Sequence, residues 1–343
     1  MKKKLSAILW GILVAVFLAS GLAFSAEAIK WKMQVAYPPG DATYDVHSKE
    51  TVKLIENASG GKIKIDLFAP GALCSVGEMV NAISKGMIDM GAIYGPAYAG
   101  SVPVGDVEAG LPFSWMSPDQ VIDLFWGSNY RMIDTIREGW AKKNIFYLYP
   151  NSCGTYPFQL TFPLNKIADF KGHKIRAMGA TGEWLKRAGA APTPLPGSEI
   201  YMAIKLGTIE GTPFPPMILE TLKLKEVVKY IIFPGLVAPP NTCMVINMDS
   251  WKKLPEEVKK TLTDNQKAIE VYRANGKGYQ ARDDEALKEA YKIGIKSITL
   301  PDSEIREGRR IAVEVWDLVG AKDAYSKKGV ETLKSYLTAK GLL

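Results

Sequence analysis

The sequence predicts an α/β protein of two lobes, and three observations support this class. Runs of alternating apolar and polar residues, typical of half-buried strands, recur as far as residue 247 and are separated by segments with helical spacing. The chain of 343 residues is long enough for about two domains. The strand–helix alternation also stops near residue 150 and then starts again, which indicates a second unit.

The first unit contains the clearest strand of the chain. Residues 62–68 read Lys-Ile-Lys-Ile-Asp-Leu-Phe and alternate without exception until Leu67-Phe68, and the preceding helix is expected to end at Ser59-Gly60-Gly61. Pro150-Asn151 is expected to close the last strand of this unit. The predicted strands are 31–36, 62–68, 87–93 and 145–149, and the predicted helices are 47–57, 77–85, 118–126 and 131–142.

The second unit continues the pattern and is followed by a mainly helical region from Ser250 onward. Strands are predicted at 158–162, 174–178, 230–233 and 242–247, and helices at 182–188, 198–205, 255–293, 302–322 and 329–339. Two α/β lobes leave a cleft between them, and ligand sites favour such interfaces and the carboxyl ends of parallel strands.

The N-terminal segment predicts export. Three lysines precede an uncharged apolar run over 5–24, and Ala26-Glu27-Ala28 provides small residues at alternate positions. This pattern is typical of a cleaved secretory signal peptide over 1–28, and it predicts a periplasmic protein. An uncleaved membrane anchor is the alternative, because the run is nearly long enough to span a bilayer.

Composition and motifs favour binding over catalysis. The formal net charge is +7, and the lysine pairs are scattered rather than gathered into a nucleic-acid-binding patch. The two histidines lack metal-site spacing, and the Gly276-Lys277-Gly278 match to a dinucleotide motif has no strand before it. We therefore predict no metal, no cofactor and no catalytic residues. The three cysteines are interpreted as buried thiols, with at most one disulfide: Cys74, Cys153 and Cys243.

Arg176 is the strongest candidate for a ligand-binding residue. It lies on a predicted strand after the turn-forming Lys171-Gly172, and an apolar Pro-Phe-Pro-Pro run follows at 213–216. An arginine presented in this way can hold a carboxylate by two parallel hydrogen bonds. A structural salt bridge at the strand end is the alternative.

Several short stretches, taken in order, resemble the solute-binding proteins of TRAP (tripartite ATP-independent periplasmic) transporters. Each stretch is a weak match alone, but their number and order make the resemblance specific. Together they span essentially the whole mature chain. They are GGKI at 60–63 with APGAL at 69–73, VNAI at 80–83 with GMIDM at 86–90, LPF at 111–113, DFKGHKIR at 169–176, EIYMAI at 199–204 with GTIEG at 207–211, and WKKLPEE at 251–257.

The resemblance implies a periplasmic receptor that closes two interleaved lobes, joined by crossing strands and a long helix, around an organic acid. Its partners would be that acid and the integral-membrane permease subunits, with no nucleic acid, and the chain would be a monomer or a dimer formed through C-terminal helices. The implied first lobe combines 29–150 with about 243–280, and the second combines 151–242 with about 281–343. Two alternatives are an exported enzyme acting on carboxylates and a receptor that feeds a sensor kinase.

Arg176 matches the family's carboxylate-binding arginine, whereas Phe214 departs from a common family pattern that has a polar residue there. With Pro213 it would form an apolar wall, which favours a monocarboxylate with an apolar or aromatic body, or a 2-oxo or 2-hydroxy acid, over a dicarboxylate or sialic acid. Phe214 as a simple core residue is the alternative. The remaining candidates for ligand contacts, each with a packing role as its alternative, are Gln159, Tyr37, Tyr94, Tyr98 and Asn241.

Overall fold

The computed structural model describes residues 28–343 except Pro196 and Ala238. The signal-peptide prediction therefore lies outside the described residues, apart from Ala28. Among the described residues no helix is long and apolar enough to cross a membrane. The described part of the chain contains eleven strands: β1 (Ile29–Val35), β2 (Ile63–Phe68), β3 (Met90–Ile93), β4 (Ile145–Ser152), β5 (Phe158–Leu160), β6 (Lys174–Arg176), β7 (Ala191–Thr193), β8 (Gly211–Pro213), β9 (Tyr230–Phe233), β10 (Asn241–Asn247) and β11 (Lys296–Thr299).

Thirteen α-helices are present in the part of the chain that the structure describes, and a π-helical turn (Thr43–Ser48) leads into the first of them. They are α1 (Lys49–Ala58), α2 (Met79–Ser84), α3 (Val104–Ala109), α4 (Pro118–Trp126), α5 (Met132–Ala141), α6 (Gly179–Arg187), α7 (Ile200–Lys205), α8 (Ile218–Thr221), α9 (Met248–Lys252), α10 (Glu256–Leu262), α11 (Asn265–Lys292), α12 (Asp302–Gly320) and α13 (Ala324–Ala339).

Two sheets organise the molecule, which confirms the predicted α/β class. The first has five strands in the order β2-β1-β3-β10-β4, and the second has six in the order β11-β9-β5-β8-β6-β7. In the first sheet β1 runs parallel to β2 and β3, while β10 runs antiparallel to β3 and β4. We call the first sheet with its helices the first lobe, and the second sheet with its helices the second lobe.

The chain passes between the lobes at two short crossings. One joins β4 to β5 over residues 153–157, and the other joins β9 to β10 over residues 234–240. The prediction that Pro150 closes the fourth strand is wrong, because β4 continues to Ser152 and Pro150 is opposite Cys243 of β10. β4 is an edge strand, so a residue without a backbone N–H can be accommodated on its free side.

Two short strands of the second sheet, the edge strand β7 and the inner strand β8, were not predicted. β7 and β8 each have three residues and each contains a proline, which argues against a strand in a single sequence. Pairing overrides this signal, because β8 lies between β5 and β6. Gly211 is the first residue of β8, and Glu210 directly precedes it.

Helix α11 is the long helix that the family resemblance implies. It packs against β4 of the first lobe and against α8 of the second. The single helix predicted over 255–293 is divided, because Asp264 accepts a hydrogen bond from the Lys267 backbone N–H (3.0 Å) and begins a new helix. Helices α12 and α13 pack on each other, α12 also contacts α6, and α13 contacts α3 and α5, so the C-terminal helices touch elements of both lobes.

Candidate functional site

Arg176 ends strand β6 with a half-buried guanidinium group that has no acidic partner among the described residues. Its Nε donates to the Leu195 carbonyl (3.1 Å), and its Cζ lies 5.3 Å from the centre of the Phe214 ring. The alternative of a structural salt bridge therefore finds no support within the described chain. The two terminal nitrogens, which could form parallel hydrogen bonds to a carboxylate, make no hydrogen bond to a described residue.

The electrostatic surroundings of Arg176 suit an incoming anion. Burial lowers the pKa of the guanidinium, and nearby Tyr94 and Tyr156 oppose that shift. An arginine stays protonated in proteins, so the site holds a partly desolvated positive charge. In such surroundings an interaction with a carboxylate is stronger than it would be in water.

Phe214 forms an aromatic surface beside this charge. Its ring stacks on Tyr156 with a centroid distance of 5.7 Å and an interplanar angle of 14°. The ring also packs against the apolar cluster of the second lobe but keeps part of its surface exposed. Phe214 therefore contributes to the core and supports the guanidinium at the same time, and the two roles considered for it are not exclusive.

Gln159 fixes the backbone of this aromatic wall from within the second sheet. Its side chain is fully buried, and its Nε2 donates to the carbonyls of Phe214 (3.1 Å) and Pro215 (3.2 Å). The Phe214 N–H donates to the Pro157 carbonyl (3.2 Å). The N–H groups of the amide thus position Phe214, while its buried Oε1 has no hydrogen-bond partner among the described residues. Pro213 is buried opposite Phe158 in the ladder between β5 and β8.

Asp283 of α11 holds the far end of the same wall. Its Oδ1 accepts from the Met217 N–H (2.9 Å), while its buried Oδ2 has no hydrogen-bond partner among the described residues. Burial raises the pKa of this carboxyl to about 7. Because α11 contacts both lobes, Asp283 connects the wall to the helix that spans the molecule.

Tyr37 and Tyr94 follow the carboxyl ends of β1 and β3, where the sequence placed them. Both are half-buried, and neither hydroxyl has a hydrogen-bond partner among the described residues. Arg176 is among the charges that act on the pKa of Tyr94, so these two groups lie within electrostatic range of each other. Tyr94 and Arg176 come from different lobes, and the site therefore lies between the lobes.

Two predicted contacts lie elsewhere. Tyr98 is buried in the core of the first lobe and its hydroxyl donates to the Val76 carbonyl. Asn241 is also fully buried: its Nδ2 donates to the Glu108 carbonyl (3.0 Å) and its Oδ1 accepts from the Tyr272 hydroxyl (3.1 Å). Each end of the buried amide has a partner within the protein, so Asn241 supports β10.

Sequence reasoning missed Tyr156, which lies in the first crossing, over residues 153–157. It is half-buried, and its hydroxyl also has no partner among the described residues. The sequence prediction ended the fourth strand at residue 149, whereas β4 continues to Ser152. A prediction with the correct strand end would have placed residues 153–157, and with them Tyr156, at the crossing between the lobes.

The two histidines and the three cysteines have separate surroundings; His173 pairs through Nδ1 with Glu210 Oε1 (3.0 Å). His47 is buried, and burial lowers its pKa to about 3, so the ring is neutral. The thiols of Cys153 and Cys243 are buried, Cys74 is half-buried, and the three cysteines are unpaired. Within residues 28–343, apart from the two undescribed positions, no group of histidine, cysteine and acidic side chains could hold a metal ion.

Comparison with known proteins identifies the family of the chain. The profile of the family described as bacterial extracellular solute-binding protein, family 7, matches residues 35–323. The chain is 25% identical over 314 residues to the monocarboxylate 2-oxoacid-binding periplasmic protein of Nostoc sp. (90% of this chain and 84% of the relative). It is also 25% identical over 299 residues to the sialic acid-binding periplasmic protein SiaP of Vibrio cholerae (85% and 89%).

A solved structure shows the same fold. A TRAP periplasmic solute-binding protein from Desulfovibrio salexigens with bound orotic acid superposes with a TM-score of 0.77 at 19% identity, covering 90% of this chain and 99% of that one. The chain thus belongs to family 7 of the bacterial extracellular solute-binding proteins, the periplasmic solute-binding components of TRAP transporters.

Proposed function

We propose that this protein captures an organic acid anion in the periplasm and delivers it to the membrane subunits of a TRAP transporter. The observation that carries the proposal is the half-buried Arg176, whose terminal nitrogens have no partner among the described residues. A cation held in this way is satisfied when a carboxylate binds. Charge-assisted hydrogen bonds of this kind contribute about 1.5–3 kcal/mol each to binding.

The ligand class follows from what surrounds the guanidinium. Phe214 and Tyr156 present stacked rings, and Tyr37 and Tyr94 add apolar faces with hydroxyl groups that no described residue occupies. These groups suit a monocarboxylate with an apolar or aromatic body, or a 2-oxo or 2-hydroxy acid, whose extra oxygen a tyrosine hydroxyl can bind. The Nostoc relative, whose name specifies monocarboxylate 2-oxoacids, supports this class.

The site residues proposed for ligand contact are accordingly Arg176, Phe214, Tyr37, Tyr94 and Tyr156, with Gln159 in a positioning role. Because Tyr94 and Arg176 come from opposite lobes, a ligand that touches both would hold the lobes together. Closure around the ligand would exclude water and strengthen the hydrogen bonds to its carboxylate.

The experiment is a thermal-shift screen of monocarboxylates, dicarboxylates and aromatic carboxylates with the mature chain. A ligand at 100 times its dissociation constant adds about 2.7 kcal/mol of stability, which is readily detected as a higher melting temperature. We expect monocarboxylates to raise the melting temperature of the parent and to leave that of Arg176→Ala unchanged.

Arg187→Ala is the matched control, since Arg187 lies on α6 and is already paired with Glu183 (3.1 Å) and Glu314. It should respond to the same acids as the parent. A response confined to dicarboxylates, or an Arg176→Ala variant that binds its acid as tightly as the parent, would contradict the proposal.

A further inference from the structure

Asp106 is a buried carboxylate of the first lobe that contacts the second lobe. It lies on α3, which packs on β10 and α5, and 3% of its surface is exposed. Its Oδ1 lies 3.6 Å from the point where a Cβ on Gly179 would be, and Gly179 is the first residue of α6. Because α6 packs on β7 of the second sheet, the Asp106 contact with Gly179 connects the two lobes.

The carboxylate meets α6 at the end where the helix dipole is positive. Gly179 has a φ of +56°, a conformation that favours glycine, so no side chain separates Asp106 from the backbone there. The first N–H groups of an α-helix have no partner within the helix. Met178, at the N-cap position, makes no capping hydrogen bond with its side chain. A negative charge is stabilising at such an end, and here it comes from the other lobe.

The Asp106 contact lies close to the residue proposed to bind the ligand carboxylate. Arg176 ends β6 and precedes Gly179 by three residues, which span at most about 11 Å. Because the connection is this short, a movement of the start of α6 relative to the first lobe also moves the backbone of Arg176. Gly179 is exposed, so water can replace the carboxylate when the lobes separate.

Lys322 fixes the other oxygen of the same carboxylate. Its Nζ lies 2.8 Å from Asp106 Oδ2, and the lysine is in the short connection between α12 and α13. Helix α12 packs on α6, and α13 packs on α3. The two oxygens of Asp106 thus have different neighbours, and the ion pair keeps the carboxylate in place for its contact with α6.

A second contact of α6 with the first lobe is apolar and lies beside a crossing between the lobes. The fully buried ring of Trp184 packs against Phe113, in the loop between α3 and α4, with 5.2 Å between centroids. The Phe113 N–H donates to the carbonyl of Leu236 (2.8 Å), which belongs to the second crossing. Gly179 is five residues, or about 1.4 helical turns, from Trp184. We therefore expect a rotation about the crossings to disturb the Asp106 contact more than the aromatic one.

We propose that Asp106 is a positioning residue for ligand binding, whose contact with the start of α6 holds the Arg176 segment against the first lobe while a carboxylate is bound. This inference rests on the proposed function and adds to it a residue that acts without touching the ligand. Such a contact stabilises the closed complex after the ligand has entered. It therefore slows release and leaves the rate of association nearly unchanged.

Rate constants for binding test this role. The probe is whichever of pyruvate, 4-methyl-2-oxopentanoate and benzoate binds the mature chain most tightly by calorimetry. Stopped-flow tryptophan fluorescence then gives the association and dissociation rate constants of the parent and of Asp106→Asn, which keeps the shape of the side chain and removes its charge. We expect dissociation to be about tenfold faster in the variant and association to change by less than about twofold.

A double variant separates this role from that of a purely structural ion pair. Asp106→Asn combined with Lys322→Met removes both charges of the pair, and it should release the probe as fast as Asp106→Asn alone. It also takes the place of the single variant if that variant does not fold. Asp123→Asn is the control for loss of an aspartate–lysine pair, since Asp123 of α4 pairs with Lys340 after α13 (2.9 Å). It should leave both rate constants unchanged.

Three results would overturn the inference: release from Asp106→Asn at the rate of the parent, a weaker affinity that comes from slower association alone, or a double variant that regains the release rate of the parent. A parent that binds none of the three acids with a dissociation constant below about 1 mM would overturn it together with the proposed function. Failure of the proposed function alone is a different result, because Arg176→Ala would then bind the probe as tightly as the parent.

Discussion

Arg176 and Arg309 are two arginines without an acidic partner among the described residues, and they differ in what their donors reach. Arg309 lies on α12, is 6% exposed, and donates from Nε to the Phe113 carbonyl (3.1 Å) and from Nη1 to the Leu342 carbonyl (2.6 Å). Arg176 is half-buried and gives only its Nε to a described carbonyl. Burial lowers the pKa of both.

The comparison teaches that an arginine without a carboxylate is not by itself a ligand site. Arg309 connects the loop that carries Phe113 to Leu342, which follows α13, so its charge is satisfied by backbone carbonyls. Arg176 keeps the paired terminal nitrogens that match a carboxylate. The arrangement of the free donors, rather than burial or missing ion pairs, separates the arginine that we propose to bind the ligand from Arg309.

Arg309→Ala is expected to give the largest effect. The substitution leaves two carbonyls with unmet hydrogen bonds and a cavity between α12 and the Phe113 loop, so we expect the free energy of unfolding to fall by about 4 kcal/mol. Chemical denaturation of the two alanine variants measures the contrast: Arg176→Ala should change stability by about 0.5 kcal/mol or less. Equal losses of unfolding free energy in both variants would contradict the contrast between the two arginines.

Glu108 extends the comparison to acids. It is fully buried in the first lobe beside Tyr147 and Cys243, and neither carboxylate oxygen has a hydrogen-bond partner among the described residues. Burial raises its pKa to about 8 from the usual 4.5. Because the native state keeps this proton longer than the unfolded state, its contribution to stability is full below about pH 4.5 and is lost as the pH rises to about 8.

Glu108→Gln should remove that loss. We expect the stability of the parent to decline between pH 5 and pH 8 by on the order of 3 kcal/mol relative to the variant, as measured by melting temperature across the pH range. Two curves that remain parallel would show that Glu108 does not titrate in this interval. Glu56→Gln serves as a control, because the pKa of that half-buried carboxyl is lowered, not raised, by hydrogen bonds from Ile65 and Lys64.

The loop that carries Phe113, which Arg309 supports, is tightly packed. The ring of Phe113 occupies the space where Gly308 lacks a side chain, since a Cβ there would lie 2.5 Å from the ring, and it also contacts Trp184 (5.2 Å between centroids). We expect Gly308→Ala to lower the free energy of unfolding by about 2 kcal/mol. Adding Phe113→Leu to that variant should recover part of the loss, and a double-mutant cycle with no coupling would contradict the contact.

Gln159→Leu should have the smallest effect of the series, and on binding rather than folding. Loss of the bonds to the Phe214 and Pro215 carbonyls loosens the aromatic wall, so we expect about a fivefold weaker affinity for the acid identified by the screen, measured by calorimetry. Thr161→Val, whose hydroxyl bonds the Glu210 carbonyl in the same sheet, should leave affinity unchanged. An unchanged affinity in Gln159→Leu would show that the wall does not depend on this amide.

Local signals predicted most of the fold. Helix α4 was placed correctly over 118–126, and Ser117 caps it by accepting from the Gln120 N–H (3.3 Å). The strands β7 and β8 escaped prediction because their prolines are tolerated only through pairing that no local pattern reveals. The break before α11 depends on a single capping aspartate within a long helical pattern.

The site was predictable in part for the same reason. The placement of Arg176 on a strand follows from the sequence, but its position at the end of β6 and the partners of a buried amide do not. Gln159 and Asn241 are both buried, and the tertiary structure alone decides that their hydrogen bonds go to backbone carbonyls and to Tyr272. The position of Tyr156 depends on the crossing between the lobes, which only the tertiary structure defines.

The most direct test of the account compares an acid with its own primary amide. For the acid found by the screen, calorimetry measures the affinity of both compounds for the parent and for Arg176→Gln. We predict that the parent prefers the acid by at least about 100-fold and that the variant shows less than about a threefold preference. A preference for the acid that survives in Arg176→Gln would show that another group binds the carboxylate, and the central claim would fail.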